Sequence, residues 1–310
     1  ENNNYVSFWD YKFNSQKNLN DYIPLLKHYE YIKEYMDKNN FNEKFENSKY
    51  DYVTKILYSI EKNGLLKNNK LVYTQYNNFT STGRPSNRFG GINFAALNKT
   101  DGSRKPYVSR FGDKGKLVEF DYDAYHLRLI ADVLDYDLPT TSVHEHFAEQ
   151  YGVTYSESKM LSFKYLYGGV PYDIGKSIEF FGKVKEFVKK LWKFYRTNKY
   201  IESYIYRKKI YSNNMNEMNR DKLFNYFIQN LETERNMEVL NNLLPRIEKY
   251  ESKLILYSYD SFLFDFNIGD DLEYLQTIKS ILEQNGKFPV KVSWGNNYHE
   301  MQDITEKFAV

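Results

Sequence analysis

Apolar residues recur along the chain at two different periods, which predicts a mixture of helices and strands. The segment KLVEFDYDAYHLRLIADVL (Lys116–Leu134) is typical of a short strand that runs directly into a helix. Asp123 lies at the junction and is expected to cap the helix. Four apolar residues then repeat at helical spacing, namely Leu127, Ile130, Ala131 and Leu134.

Three later segments also show helical periodicity. The first begins with Thr154-x-x-Glu157, the capping-box pattern, and ends at Gly168, a favourable helix stop. The second covers residues 221–244, and the third covers about 271–284. A closing apolar segment, FPVKVSW, predicts a final strand.

The segment ILYSYDSFLFDF (Ile255–Phe266) is almost entirely aromatic and aliphatic, yet it holds Asp260 and Ser261 at its centre. This pattern predicts a β-hairpin with the two polar residues at its tip, since both residue types suit turns. An ionised carboxylate in an apolar segment is costly unless a partner compensates for its lost water. Asp260 is therefore either a turn residue or a ligand that the hairpin presents to a metal ion, and the segment alone favours the turn.

Helices and strands follow one another without the regular βαβα order of a doubly wound sheet. This mixture favours an α+β architecture built on an antiparallel sheet. Residues 1 to about 70 are expected to be mostly helical, and residues 80–91, TSTGRPSNRFGG, are expected to form a loop. A length of 310 residues is enough for one large or two ordinary domains.

Composition excludes several classes of protein. A hydrophobic content of 41%, with 31 Tyr and 22 Phe, is that of a globular chain. No segment approaches the roughly 20 apolar residues of a membrane-spanning helix. The absence of cysteine excludes disulfides and thiolate metal sites and agrees with a reducing compartment.

The net charge of +2 is too small to indicate nucleic-acid binding by itself. Its distribution is more informative, because Gly182–Asn214 holds ten Lys or Arg residues against two Glu, interleaved with aromatic residues. A local excess of this kind suits contact with phosphate, although charge runs are usually solvated helix faces.

Two acidic residues lie on strand-like elements in apolar surroundings. Asp121 follows the strand in Lys116–Leu134, where its simplest role is helix entry, and Asp260 lies much later in the chain. If the two carboxylates met at one edge of a sheet, they would bind Mg²⁺ well. A pair of such ions is the usual device for in-line phosphoryl transfer.

The helix that begins near residue 155 carries Lys159, Phe163 and Tyr167 four residues apart, which places them on one face. A cation one turn into a helix, close to the free backbone N–H groups, is a natural seat for a triphosphate. The two rings could stack on a base. Core packing is the simpler explanation for the two rings. The presence of Lys159 on the same face weakens that explanation.

Six short motifs occur in one order between Thr80 and Tyr298. They are TSTGR (80–84), DYDAYHLR (121–128), KMLSFKYLYG (159–168), NYFIQ (225–229), YDS (259–261) and GNNY (295–298). Together they resemble the polymerase domain of family A DNA polymerases, the class of bacterial DNA polymerase I and many phage replicases. The matching family patterns are T-x-T-G-R, D-Y-S-Q-I-E-L-R, K-x-x-x-F-x-x-x-Y-G, N-x-x-I-Q, H-D-E and G-x-N-W. Any single match is weak, but the shared order is specific.

The resemblance implies a right-hand polymerase fold, with an antiparallel palm sheet, helical fingers and a short or truncated helical thumb. The implied parts are a thumb-like segment at 1–79, the palm at 80–140 and 216–310, and the fingers at 141–215. The implied activity is template-directed addition of dNTPs to a primer 3′-OH by two-metal nucleotidyl transfer. No exonuclease carboxylate cluster precedes residue 80, so no proofreading is expected from this chain.

The resemblance also implies roles for individual residues. Asp121 and Asp260, with the Tyr122 carbonyl, would hold two Mg²⁺ ions, for which Mn²⁺ is a possible substitute. Lys159 would also assist the departure of pyrophosphate, and Arg128 would support the site structurally. The residues implied to bind the dNTP are Lys159, Phe163, Tyr167, His126 and His144. Those implied to contact primer–template DNA are Arg84, Asn225, Gln229, Arg207 and Lys208.

Three departures from the family pattern bear on function. The family's fingers arginine is Tyr155 here, so one triphosphate cation is missing or replaced. The residue that usually excludes ribonucleotides is His126 instead of an acid, so weaker discrimination against the 2′-OH is expected. The third hairpin residue is Ser261 instead of an acid, which leaves two carboxylates. The candidates to replace the fingers arginine are the helix N-terminus, Lys99, Arg104 and Lys164.

Two alternatives remain open. A single-subunit phage-type RNA polymerase uses Asp-Ser at the hairpin, but it fits the segment after Asp121 less well. A degenerate polymerase fold could bind nucleic acid without catalysis through Gly182–Asn214, although both metal carboxylates are present. The expected partners are primer–template DNA and dNTPs, with room for a separate exonuclease or processivity subunit, and no membrane. The expected location is the cytoplasm of a bacterial or phage-infected cell.

Overall fold

A computed structural model describes residues 51–77, 80, 82–87, 92–211 and 217–308, together with residue 34. In these residues the helices are α1 (Asp51–Glu61), α2 (Tyr125–Val133), α3 (Val143–Tyr151), α4 (Tyr155–Tyr167), α5 (Tyr172–Ser177), α6 (Glu179–Asn198), α7 (Arg220–Ile247) and α8 (Asp271–Glu283). The strands are β1 (Leu65–Lys67), β2 (Lys70–Val72), β3 (Tyr107–Val108), β4 (Gly115–Tyr122), β5 (Tyr200–Glu202), β6 (Lys209–Tyr211), β7 (Lys253–Ser258), β8 (Ser261–Asn267), β9 (Val290–Gly295) and β10 (Gln302–Asp303).

A five-stranded antiparallel sheet, in the order β10-β9-β4-β8-β7, divides the core in two. The apolar residues of the central strand β4 alternate between the two faces. Leu117 packs in a small cluster with residues of the β2-β1-β3 sheet, whereas Val118 and Phe120 belong to the main core beneath the helices. The predicted mixture of helices with an antiparallel sheet is confirmed.

The long helix α7 organises the main core. Its 28 residues pack against α1, α2, α4, α6 and α8, and more than half of them are buried. Five of the buried residues are polar or charged, and two of these, Glu232 and Asn236, lie beneath the end of β4 and the β7–β8 turn. None of the helices in the described residues is long and apolar enough to cross a membrane.

Most of the elements expected after residue 110 occur where the sequence placed them. The capping box of α4 is formed, with the Thr154 N–H donating to Glu157 at 3.0 Å, and the helix ends at Gly168. Helices α7 and α8 and strand β9 cover the segments with the expected periodicity. The local signals in these segments agree with the packing that surrounds them, so the elements form as predicted.

The expected N-cap at Asp123 is wrong. The residue that precedes α2 is Ala124, in a left-handed conformation with a φ of 51° and with no side-chain cap. The Asp123 carboxylate instead pairs with Arg128 and Lys291, which draw it away from the helix N-terminus. One partner, Lys291, lies on β9 and the other, Arg128, lies on α2 itself, so the carboxylate forms ion pairs instead of a capping bond.

The N-terminal region is only partly covered by the structure. Residues 51–61 are helical as expected, but residues 65–72 form the β1–β2 hairpin instead of a helix. Asn68 and Asn69 both adopt positive φ, which suits a two-residue hairpin turn. The helical prediction for residues 1–50 otherwise lies outside the described residues.

The β7–β8 hairpin has a two-residue turn formed by Tyr259 and Asp260. Tyr259 has a φ of 60°, which is uncommon for a residue with a side chain, and Asn236 of α7 donates to its carbonyl at 2.6 Å. Ser261 is the first residue of β8. The turn that carries Asp260 is therefore held from beneath by α7.

An ion pair between the fully buried carboxylate of Asp265 and the partly exposed Arg110 ties the sheet to the segment that follows β3. Asp265 of β8 accepts hydrogen bonds from the Ser109 hydroxyl at 2.6 Å and from Arg110 Nε at 2.8 Å. Arg110 also donates to the carbonyls of Asn63 and Gly64, so its guanidinium joins three segments of the chain. Every charge in this group has a partner, which is what makes its burial tolerable.

Replacing Arg110 by Met should lower the free energy of unfolding by about 3–5 kcal/mol, because it leaves the Asp265 carboxylate buried without its cation. Urea denaturation followed by circular dichroism measures this change. Arg246→Met is the matched control: Arg246 is exposed and, among the described residues, bonds to Asn242 alone, so its replacement should change stability by less than about 0.5 kcal/mol. Equal losses for the two variants would contradict the assignment.

Candidate active site

A cavity of about 390 Å³ opens where β4, the β7–β8 turn, α2 and α4 meet. Nine residues that the sequence singled out line it: Arg84, Asp121, Tyr122, His126, His144, Lys159, Phe163, Tyr167 and Asp260. They come from segments that are far apart in sequence. The fold has therefore brought most of the predicted site residues to one place.

The two carboxylates meet because β4 pairs with β8. Asp121 lies directly opposite Ser261, and the Tyr122 N–H donates to the Asp260 carbonyl at 3.0 Å. Asp121 and Asp260 are thus neighbours across two hydrogen-bonded strands. Within the described residues, no group of three or more acidic or His side chains is arranged to hold a metal ion.

The Asp260 carboxylate is electrostatically disfavoured. Partial desolvation, together with the nearby charges of Asp121 and then Glu232, raises the pKa of Asp260 to about 6, although the residue is exposed to solvent. It makes no ion pair within the described part of the chain, whereas Lys99 Nζ lies 3.5 Å from Asp121. A bound cation would stabilise this carboxylate, and two adjacent carboxylates are the oxygen donors that Mg²⁺ prefers.

Helix α4 forms the opposite wall. Phe163 and Tyr167 stack with ring centroids 5.9 Å apart and almost parallel, and Lys159 lies one turn before them on the same face. Lys159 makes no hydrogen bond or ion pair with the described residues. The predicted shared face is therefore present and lines the cavity, and Tyr167 also packs against the main core.

His144 of α3 adjoins this wall. Its ring lies 5.6 Å from that of Phe163, and its carbonyl accepts from the Ser158 hydroxyl at 2.7 Å, which fixes α3 against α4. Burial, together with the nearby Lys159 and Lys291 charges, lowers the pKa of His144. The imidazole is therefore neutral near pH 7, and its buried Nδ1 has no partner within the described residues.

Glu232 is a central residue of the site that the sequence did not reveal. Its side chain is 1% exposed and accepts from both Arg84, through Nη2 at 2.9 Å, and His126 Nε2 at 3.0 Å. Burial by itself raises the pKa of Glu232, but His126 and Arg84 more than reverse this and leave it below its usual range. One buried carboxylate thus orients two residues that line the cavity.

His126 also contacts the hydroxyl of Tyr167 through Nδ1. Because Glu232 is ionised and can only accept, Nε2 of His126 must carry the proton that it donates. Burial raises the pKa of Tyr167, so its hydroxyl stays protonated and donates to Nδ1. A chain of hydrogen bonds therefore runs from α7 through α2 to α4.

Asn225 lies two turns and Gln229 one turn before Glu232, on the same face of α7, but neither residue lines the cavity. Arg84 stacks over the Tyr259 ring at 4.3 Å, beside the turn that carries Asp260. Arg207 and Lys208 are exposed on the connection between β5 and β6, also outside the cavity. The structure thus separates the predicted DNA-contacting residues from the carboxylate site, except for Arg84.

The three side chains expected to replace the fingers arginine do not line the cavity. Lys99 lies beside Asp121 and Glu119, and Arg104 donates to the Leu97 carbonyl and stacks on Tyr298. Lys164 is exposed elsewhere on α4. A cation that the sequence analysis missed, Lys291 of β9, lines it instead. A single charge in the segment FPVKVSW was a weak signal, because only strand pairing shows which residue Lys291 faces.

The comparisons with known proteins show the fold. No protein-family model and no curated protein matches the chain. Among solved structures, the POL domain of Pol1 from M. smegmatis, in complex with DNA primer-template and dNTP, is similar with a TM-score of 0.57 and 17% identity. The similarity covers 80% of this chain and 50% of that one, so the chain spans about half the length of its structural neighbour. The fold is a distant polymerase-like fold.

Glu232→Gln should remove part of the acid sensitivity of the protein. Since folding lowers the pKa of Glu232, its charge stabilises the fold above the usual glutamate value of about 4.3 and stops doing so as the pH falls through the lowered value. The difference in free energy of unfolding between wild type and Glu232→Gln should therefore be constant from about pH 7 to 5 and shrink below about pH 4.3. Urea titrations at several pH values measure it.

The matched control for this prediction is Glu238→Gln, on the same helix. The Glu238 side chain is 40% exposed and lies 3.9 Å from Arg235, so it lacks the buried contacts of Glu232. Its replacement should have a small effect at every pH. A Glu232→Gln variant whose stability follows that of wild type in parallel down to about pH 3 would disprove the role given to the Glu232 charge.

Proposed function

We propose that this protein is a template-directed DNA polymerase of family A, which adds dNTPs to a primer 3′-OH. The observation that carries the proposal is the convergence of Asp121, Asp260 and Lys159 on one cavity in a polymerase-like fold. The similar solved structure is itself a polymerase domain bound to primer-template DNA and dNTP. The order of the six sequence motifs supports the same assignment.

In this proposal the five-stranded sheet is the palm, formed by residues 80–140 and 216–310, and residues 141–215 are the fingers. Asp121 and Asp260 lie on the palm, whereas Lys159 lies on the fingers helix α4. A thumb-like role for residues 1–79 rests on the sequence resemblance, since most of that segment is outside the described residues. The cavity lies between palm and fingers, where a nucleotide would be enclosed from two sides.

The carboxylates of Asp121 and Asp260, with the Tyr122 carbonyl, would hold Mg²⁺ or Mn²⁺. These oxygen donors suit such an ion, because Asp260 has no cationic partner among the described residues and the pKa of its carboxyl group is raised. Bound there, the ions supply charge stabilisation to the attacking and leaving oxygens of an in-line displacement. The primer 3′-OH attacks the α-phosphate of the base-paired dNTP, and pyrophosphate leaves.

The remaining residues would position the substrates. Lys159, which makes no ion pair with the described residues, would hold the triphosphate, while Phe163 would pack against the sugar and Tyr167 would lie at the templating position. Arg84 is held by Glu232 through Nε and Nη2, so its Nη1 is left to contact minor-groove acceptors of the terminal base pair. Further DNA contacts are proposed for Asn225, Gln229, Arg207 and Lys208, and a dNTP contact for His144.

The double variant Asp121→Asn/Asp260→Asn should lower primer extension by at least about 1000-fold, because it removes the two charges that hold the metal ions. A primer-extension assay with Mg²⁺ and dNTPs measures this. Asp113→Asn/Asp173→Asn, which changes two exposed carboxylates outside the cavity, should extend primers like wild type. DNA binding should be kept in both double variants, since amide for carboxylate preserves shape.

Normal extension by Asp121→Asn/Asp260→Asn would refute the catalytic assignment. A wild-type protein that binds DNA but extends no primer would instead favour the binding-only alternative. Synthesis from rNTPs without a primer would favour the RNA polymerase.

His126→Ala should further weaken discrimination against ribonucleotides. The ring is fixed between Glu232 and Tyr167 at the position where the family excludes the 2′-OH, and its removal opens that space. The ratio of kcat/KM for dCTP and CTP should fall by about tenfold or more. His146→Ala is the control, because His146 bonds to Gln150 on α3 outside the cavity. Strong discrimination that survives His126→Ala would show that another residue excludes ribonucleotides.

A further inference from the structure

Lys291 of β9 lies across the sheet from Asp121. The two residues are direct partners in the antiparallel pairing of β9 with β4, so their side chains emerge on the same face. The neighbours of Lys291 along the strand, Val290 and Val292, are buried, whereas its own side chain is 53% exposed. The strand therefore presents a long cationic side chain to the cavity.

Three groups that can bind an anion face this cavity from three different elements. Lys159 on α4 makes no ion pair within the described residues, and His144 on α3 has a buried Nδ1 without a partner. Lys291 on β9 completes the set, close to the tyrosine at position 155. Because the donors lie on three different elements around one cavity, each can bind a different phosphate of a chain.

The present partner of Lys291 can release it. Lys291 Nζ lies 2.9 Å from Asp123 Oδ1, but Asp123 is also 3.6 Å from Arg128, whose side chain is 4% exposed. Arg128 in turn donates to the carbonyls of Asp123, Pro139 and Thr141, so it stays in place. Asp123 would therefore keep a cationic neighbour when Lys291 turns toward a ligand.

We propose that Lys291 binds the polyphosphate of the incoming nucleotide from the sheet, together with Lys159 on α4. This inference rests on the proposed function for the identity of the nucleotide, but not for the anion site itself. The backbone of an interior strand such as β9 stays in place when the helices around it move. Lys291 would therefore hold the polyphosphate before any closure of α4, and the site would retain product pyrophosphate more than a site built on α4 alone.

The test measures binding of inorganic tripolyphosphate to the full chain by isothermal titration calorimetry, without DNA and without metal. Lys291→Ala should weaken binding by about tenfold or more, the loss expected for one charge-assisted contact. Lys291→Arg should keep most of the affinity. Lys287→Ala is the matched control, because Lys287 pairs with Asp132 outside this cavity, and it should bind like wild type.

Asp123→Asn should change the affinity for tripolyphosphate in the opposite direction. A folding defect cannot produce such an increase. Freed from Asp123, Lys291 should bind tripolyphosphate more tightly, and this gain should disappear in Asp123→Asn/Lys291→Ala. Absence of binding by wild type, equal binding by Lys291→Ala, or a gain that persists in the double variant would overturn the proposal.

Primer extension separates this inference from the proposed function. If wild type extends primers and Lys291→Ala has an unchanged KM for dNTPs, Lys291 is wrongly assigned and the polymerase activity stands. If Lys291→Ala loses tripolyphosphate affinity but wild type extends no primer, the polyphosphate site stands and the polymerase activity does not. A raised KM with a nearly unchanged kcat supports both.

Discussion

The antiparallel pairing of β4 with β8 is the constraint on which the site depends. It runs in register from Gly115 opposite Asn267 to Asp121 opposite Ser261, and the next bond joins the Tyr122 N–H to the Asp260 carbonyl. A shift of one residue would move Asp121 to the other face of the sheet. The buried residues on both faces of β4 prevent such a shift, so core packing sets the position of the two carboxylates.

Charge balance then decides which carboxylate is left for a ligand. Glu232 pairs with Arg84 and accepts a hydrogen bond from His126, and Asp123 pairs with Arg128 and Lys291. Asp121 has Lys99 at 3.5 Å, whereas Asp260 has no ion pair in the described part of the chain. The raised pKa of Asp260 is the cost of holding a carboxylate that is not paired within the protein. A site in which every charge was paired would be more stable and would have less affinity for a cation.

The same pairs connect the sheet to the helices around the cavity. Glu232 on α7 positions His126 on α2, and His126 contacts Tyr167 on α4. Ser158 on α4 bonds to the His144 carbonyl on α3. A displacement of α4 therefore changes hydrogen bonds that end at the buried carboxylate of Glu232. Under the proposed function, this is a physical route by which the fit of a nucleotide is transmitted to the floor of the site.

Local sequence determined the elements and the chemical type of the site. The capping box at Thr154, the alternation around Asp121 and the polar tip of the hairpin at Asp260 are short-range signals, and each produced the element it predicted. Glu232, Lys291 and the pairing of Asp123 were decided only by the tertiary structure. Their roles depend on partners in distant segments. The local sequence around a charged residue does not indicate which distant residue it will contact. Periodicity fixes which face a side chain occupies, but strand register and helix packing decide what lies opposite that face.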